Sequence, residues 1–148
     1  MMVEEEVKAD LNSLIGTGLG VAQEQLEAHG GFLPVALVLG DDGGMRMVAV
    51  SPEEAAHQAG RDQGAEEPDA DAMIDDLYQL LAAQKDANRA AAVVCDIHLP
   101  DDATDAVHVV AEHRAGVVIS AVAPYTETGG NWTFSEPIWE TEEPRIWP

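Results

Sequence analysis

The chain has 148 residues with 28 Asp or Glu against 7 Lys or Arg, which gives a formal net charge of −21 at pH 7. Nucleic acids and anionic membranes are bound largely through Lys and Arg side chains, so this balance excludes both as expected partners. Because 46% of the residues are apolar, the chain is not a disordered acidic segment, and we expect one folded domain over residues 1–148.

The first predicted element is a helix over residues 3–28. Gly16, Gly18 and Gly20 interrupt its pattern, which predicts either a break or close packing of another segment against these glycines. A phosphate-binding loop is not indicated, because no strand precedes the glycines and no Lys follows them. The helix is predicted from apolar residues that recur at steps of three and four, namely Val7, Leu11, Leu14, Ile15, Leu19, Ala22 and Leu26.

Two short strands, over residues 32–39 and 45–50, are predicted next. The first is an apolar run with Pro34 near its start, a position that a strand tolerates at a sheet edge. The sequence Asp-Asp-Gly-Gly at residues 41–44 is a turn signal between the two runs. Residues 32–50 therefore predict a β-hairpin.

A second helix is predicted over residues 70–88, after a polar loop at 51–68. Either Asp69 or Asp71 is placed to cap its first turn. Its apolar stripe consists of Met73, Ile74, Leu77, Leu80 and Leu81.

The rest of the chain predicts three or four strands. Residues 90–99 form a mostly aliphatic strand, residues 105–114 and 117–123 form a hairpin around Gly116, and residues 131–139 add one more strand. Strands joined by such short turns pair in antiparallel fashion. We predict an α+β fold with the order α-β-β-α-β-β-β and one further strand. Its mainly antiparallel sheet of five to six strands is packed by two principal helices, both on one face or one on each.

This order of elements resembles that of profilin-like and roadblock-type domains, which implies a five-stranded antiparallel sheet packed by helices. The sequence Gly-Gly-Phe-Leu-Pro at residues 30–34, followed by a hairpin, is also similar to a family of small uncharacterised bacterial proteins. That second resemblance covers most of the chain and implies no activity.

Four residues are the best candidates for a metal site. Alternation along the 90–99 strand places Asp96 and His98 on one face, and the same rule places His108 and Glu112 together on the next strand. If the two strands pair, His98 and His108 approach each other, and imidazole with carboxylate suits zinc or another transition metal. The alternative is a solvated sheet face with a charge pair between Glu112 and Arg114.

Cys95 is the only cysteine, which excludes an intrachain disulfide and favours a reducing, cytoplasmic location. On a predicted central strand it acts as a small hydrophobe with an inert thiol. Residues 1–6 are acidic and lack the basic start of a signal peptide, and no apolar run reaches the roughly 18 residues of a spanning helix. We expect no cofactor and no catalytic residue.

The C-terminal tail, residues 137–148, is rich in proline and aromatic residues. Trp132, Phe134, Trp139 and Trp147 include all 3 tryptophans of the chain. Tryptophan is enriched among the interface residues that carry most binding energy. One interpretation is that Trp132 and Phe134 close the core while Trp139 lies on the sheet. The other is that these residues form an interface and the tail binds a second subunit or a partner.

From these patterns we expect a non-catalytic protein-interaction or regulatory domain. It would form a homodimer or bind a basic protein that the acidic surface attracts. Two alternatives stay open. In the first, the acidic residues keep a protein of unrelated function soluble at high salt, or the composition follows from base-composition bias. The second concerns a metal ion. A small metal-binding protein or enzyme would use the face with His98, His108 and Glu112.

Overall fold

The protein is described by a computed structural model over residues 4–30, 32, 34–49, 70–99 and 104–147. It has two helices and seven strands in these ranges, which confirms the predicted α+β class and element order. The predicted loop at 51–68 and a cap at Asp69 lie outside the described residues, and Asp71 lies inside the second helix. The elements are α1 (Glu4–His29), β1 (Val35–Gly40), β2 (Met45–Val48), α2 (Ala70–Ala83), a 3-10 turn (Lys85–Ala87), β3 (Asn88–Leu99), β4 (Thr104–His113), β5 (Val118–Thr128), β6 (Asn131–Phe134) and β7 (Ile138–Thr141).

The strands form one antiparallel sheet in the order β2-β1-β3-β4-β5-β6, and β7 also pairs with β5. Its centre is the pairing of β3 with β4, in which Ala90 lies opposite His113 and Leu99 opposite Thr104. The turn between β4 and β5 contains Gly116, whose φ of 91° is easily reached only by glycine. The sheet has seven strands, whereas the profilin-like resemblance implies five. β2 lies at one edge of the sheet, and β6 and β7 together form the other edge.

α1 packs against one face of the sheet, and the apolar residues between them are here called the α1-side core. α1 runs through its three glycines without a break. A Cβ atom on Gly18 would lie 3.0 Å from Cγ2 of Val94 and 3.2 Å from Cγ1 of Val109, whereas Gly16 and Gly20 face open space. Of the two predictions for the glycines, close packing is therefore confirmed, and it belongs to Gly18 alone.

α2 packs against the opposite face, so the two helices lie on different sides of the sheet. Leu77 and Leu81 of α2 join Val38 and Val93 in a second buried cluster, here called the α2-side core. Ile146, near the C-terminus, is buried in the same cluster. Burying each such side chain contributes about 1.5–3 kcal/mol to stability.

A buried polar network ties α1 to the sheet. Asp10 accepts hydrogen bonds from Arg89 Nη2 at 3.1 Å and from Nε2 of the fully buried His113 at 3.0 Å. The backbone N–H of Ala115 donates to Nδ1 of His113 at 3.1 Å. Because Nδ1 accepts this bond, Nε2 is the ring nitrogen that donates to Asp10. Both ring nitrogens are therefore used in contacts that join α1 to the end of β4.

Among the described residues, no helix combines the length and the apolar character needed to cross a membrane.

Candidate interaction surface

The edge of the sheet beyond β5 is formed by β6 and β7, which together make one interrupted strand. β6 and β7 follow each other along β5, with Phe134 opposite Tyr125 and Ile138 opposite Val122. Three residues of the edge therefore stand opposite two residues of β5 between these pairs. Such an extra residue is a β-bulge, which bends the strand and interrupts its pairing. The single strand predicted over 131–139 is thus two segments separated by a bulge.

The bulge decides which face Trp139 occupies. Side chains alternate along a strand, so an uninterrupted strand would place Trp139 on the face opposite to Trp132 and Phe134. One extra residue reverses the alternation. Trp139 now lies opposite Ala121, as Phe134 lies opposite Tyr125, and both partners belong to the α1-side core. All three aromatic side chains therefore lie on the same face of the edge.

Trp132 and Phe134 pack against each other and against Tyr125. The ring centroids of Tyr125 lie 5.8 Å from Trp132 and 5.9 Å from Phe134, and the two edge rings are stacked at 6.5 Å. Both edge rings are half-buried against the α1-side core. These contacts agree with the interpretation that Trp132 and Phe134 close the core.

Trp139 differs from these rings in its exposure. It is the most exposed aromatic side chain in the described part of the chain, at 52%, and its neighbour Ile138 is 54% exposed. Residues 127–143 contain no Lys, Arg or His. We call the exposed apolar pair and the exposed carboxylates nearest to it in sequence the acidic edge patch. The patch consists of Glu136, Ile138, Trp139, Glu140, Glu142 and Glu143.

The chain after β7 is anchored to its own sheet. The side chain of Glu112, which is 2% exposed, accepts backbone N–H groups of Arg145 at 2.8 Å, Ile146 at 2.9 Å and Trp147 at 2.6 Å. The guanidinium of Arg145 lies 3.8 Å from the ring centroid of Tyr78. Burial raises the pKa of Tyr78 to about 12, against the opposing effect of Arg145. We call residues 142–147 the C-terminal strap.

The prediction of a charge pair between Glu112 and Arg114 is wrong. Glu112 lies inside β4, where its side chain meets the strap, whereas Arg114 lies beyond the end of the strand. Arg114 Nη1 instead donates to the carboxylate of Asp41. Strand alternation does not extend into a turn, so it could not predict the position of Arg114.

His108 lies beside the strap on the α2 side. Its Nε2 is 3.8 Å from Oε2 of Glu142. Burial lowers the pKa of His108, and the carboxylates of Glu142 and Glu140 oppose this effect only in part. A neutral imidazole is therefore favoured next to two of the patch carboxylates.

The four candidate metal ligands divide between the two faces of the sheet. β3 and β4 pair as predicted, but His98 lies opposite Asp105 and His108 lies opposite Cys95. Asp96 and His98 are on the α1 side, while His108 and Glu112 are on the α2 side. In the ranges that the structure describes, no three His, Cys, Asp or Glu side chains are grouped to hold a metal ion. The structure therefore does not bring the four candidate ligands together at one site.

Asp96 has a partner that the sequence did not indicate. Tyr125 donates its hydroxyl proton to Oδ1 of Asp96 at 2.7 Å, and the exposed His98 pairs with Asp105 at 2.9 Å. Burial raises the pKa of Asp96, while the hydrogen bond from Tyr125 opposes the rise. The pKa of Tyr125 is raised as well, first by burial and then by Asp96. The phenol thus keeps its proton and acts as a donor that ties β5 to β3.

Cys95 is buried in the α2-side core, as its apolar neighbours predicted. Its cross-strand neighbour is His108, so a thiol and an imidazole share one face. Its burial disfavours a thiolate. This pair therefore lacks the exposed, electropositive setting of a nucleophilic cysteine.

Comparison with protein-family models, curated proteins and solved structures found no match for this chain. The function is accordingly inferred from the geometry and charge of the molecule.

Proposed function

We propose that this protein is a non-catalytic interaction domain that binds a basic protein through the acidic edge patch. The observation that carries the proposal is the exposure of Trp139 and Ile138, which lie on opposite faces of β7 and are flanked in sequence by four exposed glutamates. Exposed apolar side chains next to charged ones let a protein interface combine affinity with choice of partner.

The apolar part of the patch supplies affinity. A tryptophan buries roughly 200 Å² when it is fully covered, so covering the exposed half of Trp139 removes about 100 Å² from water. At about 25 cal/mol per Å² this burial contributes about 2.5 kcal/mol. A partner that also covers Ile138 gains a similar amount.

The charged part of the patch selects the sign of the partner. With a net charge of −21, the whole molecule attracts cations and repels other copies of itself. A homodimer formed through two such patches would bring like charges together. A partner rich in Lys or Arg instead forms ion pairs with Glu136, Glu140 and Glu142, and its association is accelerated at low salt.

A short peptide of alternating Lys and Val is a suitable probe, with binding followed by fluorescence anisotropy at low salt. Trp139→Ala is expected to weaken binding by about thirtyfold, because about 2 kcal/mol of burial is lost. Met47→Ala is the matched control, since Met47 is 57% exposed on the opposite edge strand. Equal affinities of the two variants would show that binding does not use the patch.

The charge is tested with a second pair of variants. Glu140→Gln is expected to weaken binding of the same peptide and to reduce its dependence on salt, whereas Glu5→Gln, exposed on α1, is expected to change neither. Peptide binding that persists unchanged at high salt would contradict an electrostatic contribution.

A further inference from the structure

The backbone of β7 has an unpaired side. In the described part of the chain, β7 pairs only with β5. The N–H of Glu142 donates to the carbonyl of Val118 at 3.3 Å, and the N–H of Ser135 donates to the carbonyl of Pro124 at 2.8 Å. Even-numbered residues of β5 therefore bond to this edge.

The same pattern gives the direction of the other backbone groups in β7. In an antiparallel pair, residues alternate between those that bond to the neighbouring strand and those that point away from it. Because Glu142 bonds to β5, Ile138 and Glu140 do so as well. Trp139 and Thr141 direct their N–H and C=O groups away from β5, toward the open side.

From this geometry we infer that the basic partner binds as an extended segment that adds a strand to β7, pairing with Trp139 and Thr141. The inference rests on the proposed function and specifies how the patch is used. Strand addition is a common way in which an exposed sheet edge recognises a peptide, with main-chain bonds for affinity and alternate side chains for specificity.

The charges on β7 indicate which kind of segment binds to its open side. Exposed edges are commonly protected from self-pairing by charged side chains and proline. Glu140 within β7 and Glu142 just after it repel a second copy of the same edge, while Pro137 and Pro144 limit the length of the free edge. The same carboxylates attract a segment of opposite charge. The other edge strand, β2, carries Arg46 and would repel such a segment.

Alternation along β7 predicts the pattern of the incoming segment. Trp139 and Thr141 share the α1-side face, while Ile138 and Glu140 share the α2-side face. Cross-strand neighbours interact directly. The segment therefore places apolar residues beside Trp139 and Lys or Arg beside Glu140, which is an alternation of apolar and basic residues.

The test uses the full chain and two forms of the alternating Lys and Val peptide. One form has ordinary amides, and the other is N-methylated at its Val residues, so that it keeps its charges and side chains but lacks the N–H groups that would face β7 when Val lies opposite Trp139. The ordinary peptide is expected to bind at least about tenfold more tightly than the methylated one. Equal binding of the two forms would overturn strand addition.

A variant of the protein gives an independent measurement. Thr141→Pro removes an N–H that points away from β5, so the fold keeps its β5 pairing, and circular dichroism verifies this. Relative to Thr141→Val, which changes the same side chain and keeps the N–H, it is expected to lose about tenfold in affinity for the ordinary peptide. If Trp139→Ala loses affinity for the peptide and Thr141→Pro does not, strand addition is overturned and the proposed function stands. Loss in neither variant would overturn both.

Discussion

Glu112 holds the backbone N–H of Ile146, a residue 34 positions further along the chain, with its two carboxylate oxygens at 3.0 and 2.9 Å. Both residues are buried. The neighbouring N–H groups of Arg145 and Trp147 donate to the same carboxylate, so three successive amides surround it. This contact fixes the strap that follows β7, and with it one end of the acidic edge patch.

Replacing Glu112 by Gln is expected to loosen the strap. An amide keeps one acceptor oxygen and presents an NH2 group to the donors, so at least one buried N–H loses its acceptor. A buried donor without a partner costs about 1–3 kcal/mol, and the free energy of unfolding should fall by that amount in urea titrations. Glu143→Gln, at an exposed position, is the control. If the two variants are equally stable, Glu112 does not anchor the strap.

The glycines of α1 should respond differently to alanine. Gly16→Ala adds a methyl group in open space and is expected to stabilise the helix by up to about 1 kcal/mol. Gly18→Ala places its Cβ against Val94 and Val109, so it should be at least about 1 kcal/mol less stable than Gly16→Ala. Thermal unfolding of both variants measures the difference. The same melting temperature for both would contradict close packing at Gly18.

Asp10→Ala should be among the more damaging substitutions in α1. It leaves the guanidinium of Arg89 and the Nε2–H of His113 without their acceptor at a mostly buried position. The expected cost is about 2–4 kcal/mol in chemical denaturation. Glu6→Ala, exposed on the same helix, controls for the loss of a negative charge. A cost below about 1 kcal/mol would mean that the network contributes little.

His108 should make the fold less stable in mild acid. The unfolded chain binds a proton at His108 near its usual pKa of about 6.5, whereas burial lowers the pKa in the folded protein. Below about pH 6.5 the unfolded state therefore holds more protons, so the free energy of unfolding falls as the pH is lowered. His108→Gln removes this part of the pH dependence.

The comparison is made by thermal unfolding between about pH 8 and about pH 5, with His29→Gln at an exposed helix end as the control. The melting temperature of His108→Gln should fall less steeply than that of the control. Parallel curves would show that burial of His108 does not contribute.

Added salt distinguishes two explanations of the acidity, namely recognition of a partner and adaptation to a saline environment. A net charge of −21 repels itself within the folded molecule, and salt screens that repulsion. If the acidity serves solubility at high salt, the melting temperature should rise steeply as salt is added. A flat response would remove that interpretation and favour a role for the carboxylates in binding.

The strand positions and the buried stripe of α1 were predictable because they depend on local periodicity. Leu11, Leu14 and Ile15 recur at helical steps, and each is buried in the structure. Cys95 was predicted in the core from its apolar neighbours alone. These signals lie within a few residues of one another, so a single sequence contains them.

The candidate site was predictable only in part. The aromatic tail drew attention to Trp139, but nothing local distinguishes it from Trp132, which is half-buried. The bulge before Ile138 places both rings on the same face. They differ because Trp132 packs against the ring of Tyr125, whereas Trp139 lies opposite the small side chain of Ala121. The pairing of Tyr125 with Asp96 was likewise missed, because it joins β5 to β3 across the width of β4.

By itself, the sequence determined the charge of this protein, the order of its elements and the positions of its hydrophobic stripes, since these depend on composition and short-range spacing. Only the tertiary structure decided that the helices lie on opposite faces, that Glu112 binds the strap and that Trp139 is exposed beside a free strand edge. Each of these depends on the register between segments far apart in sequence, where one residue more or less changes which side chains meet.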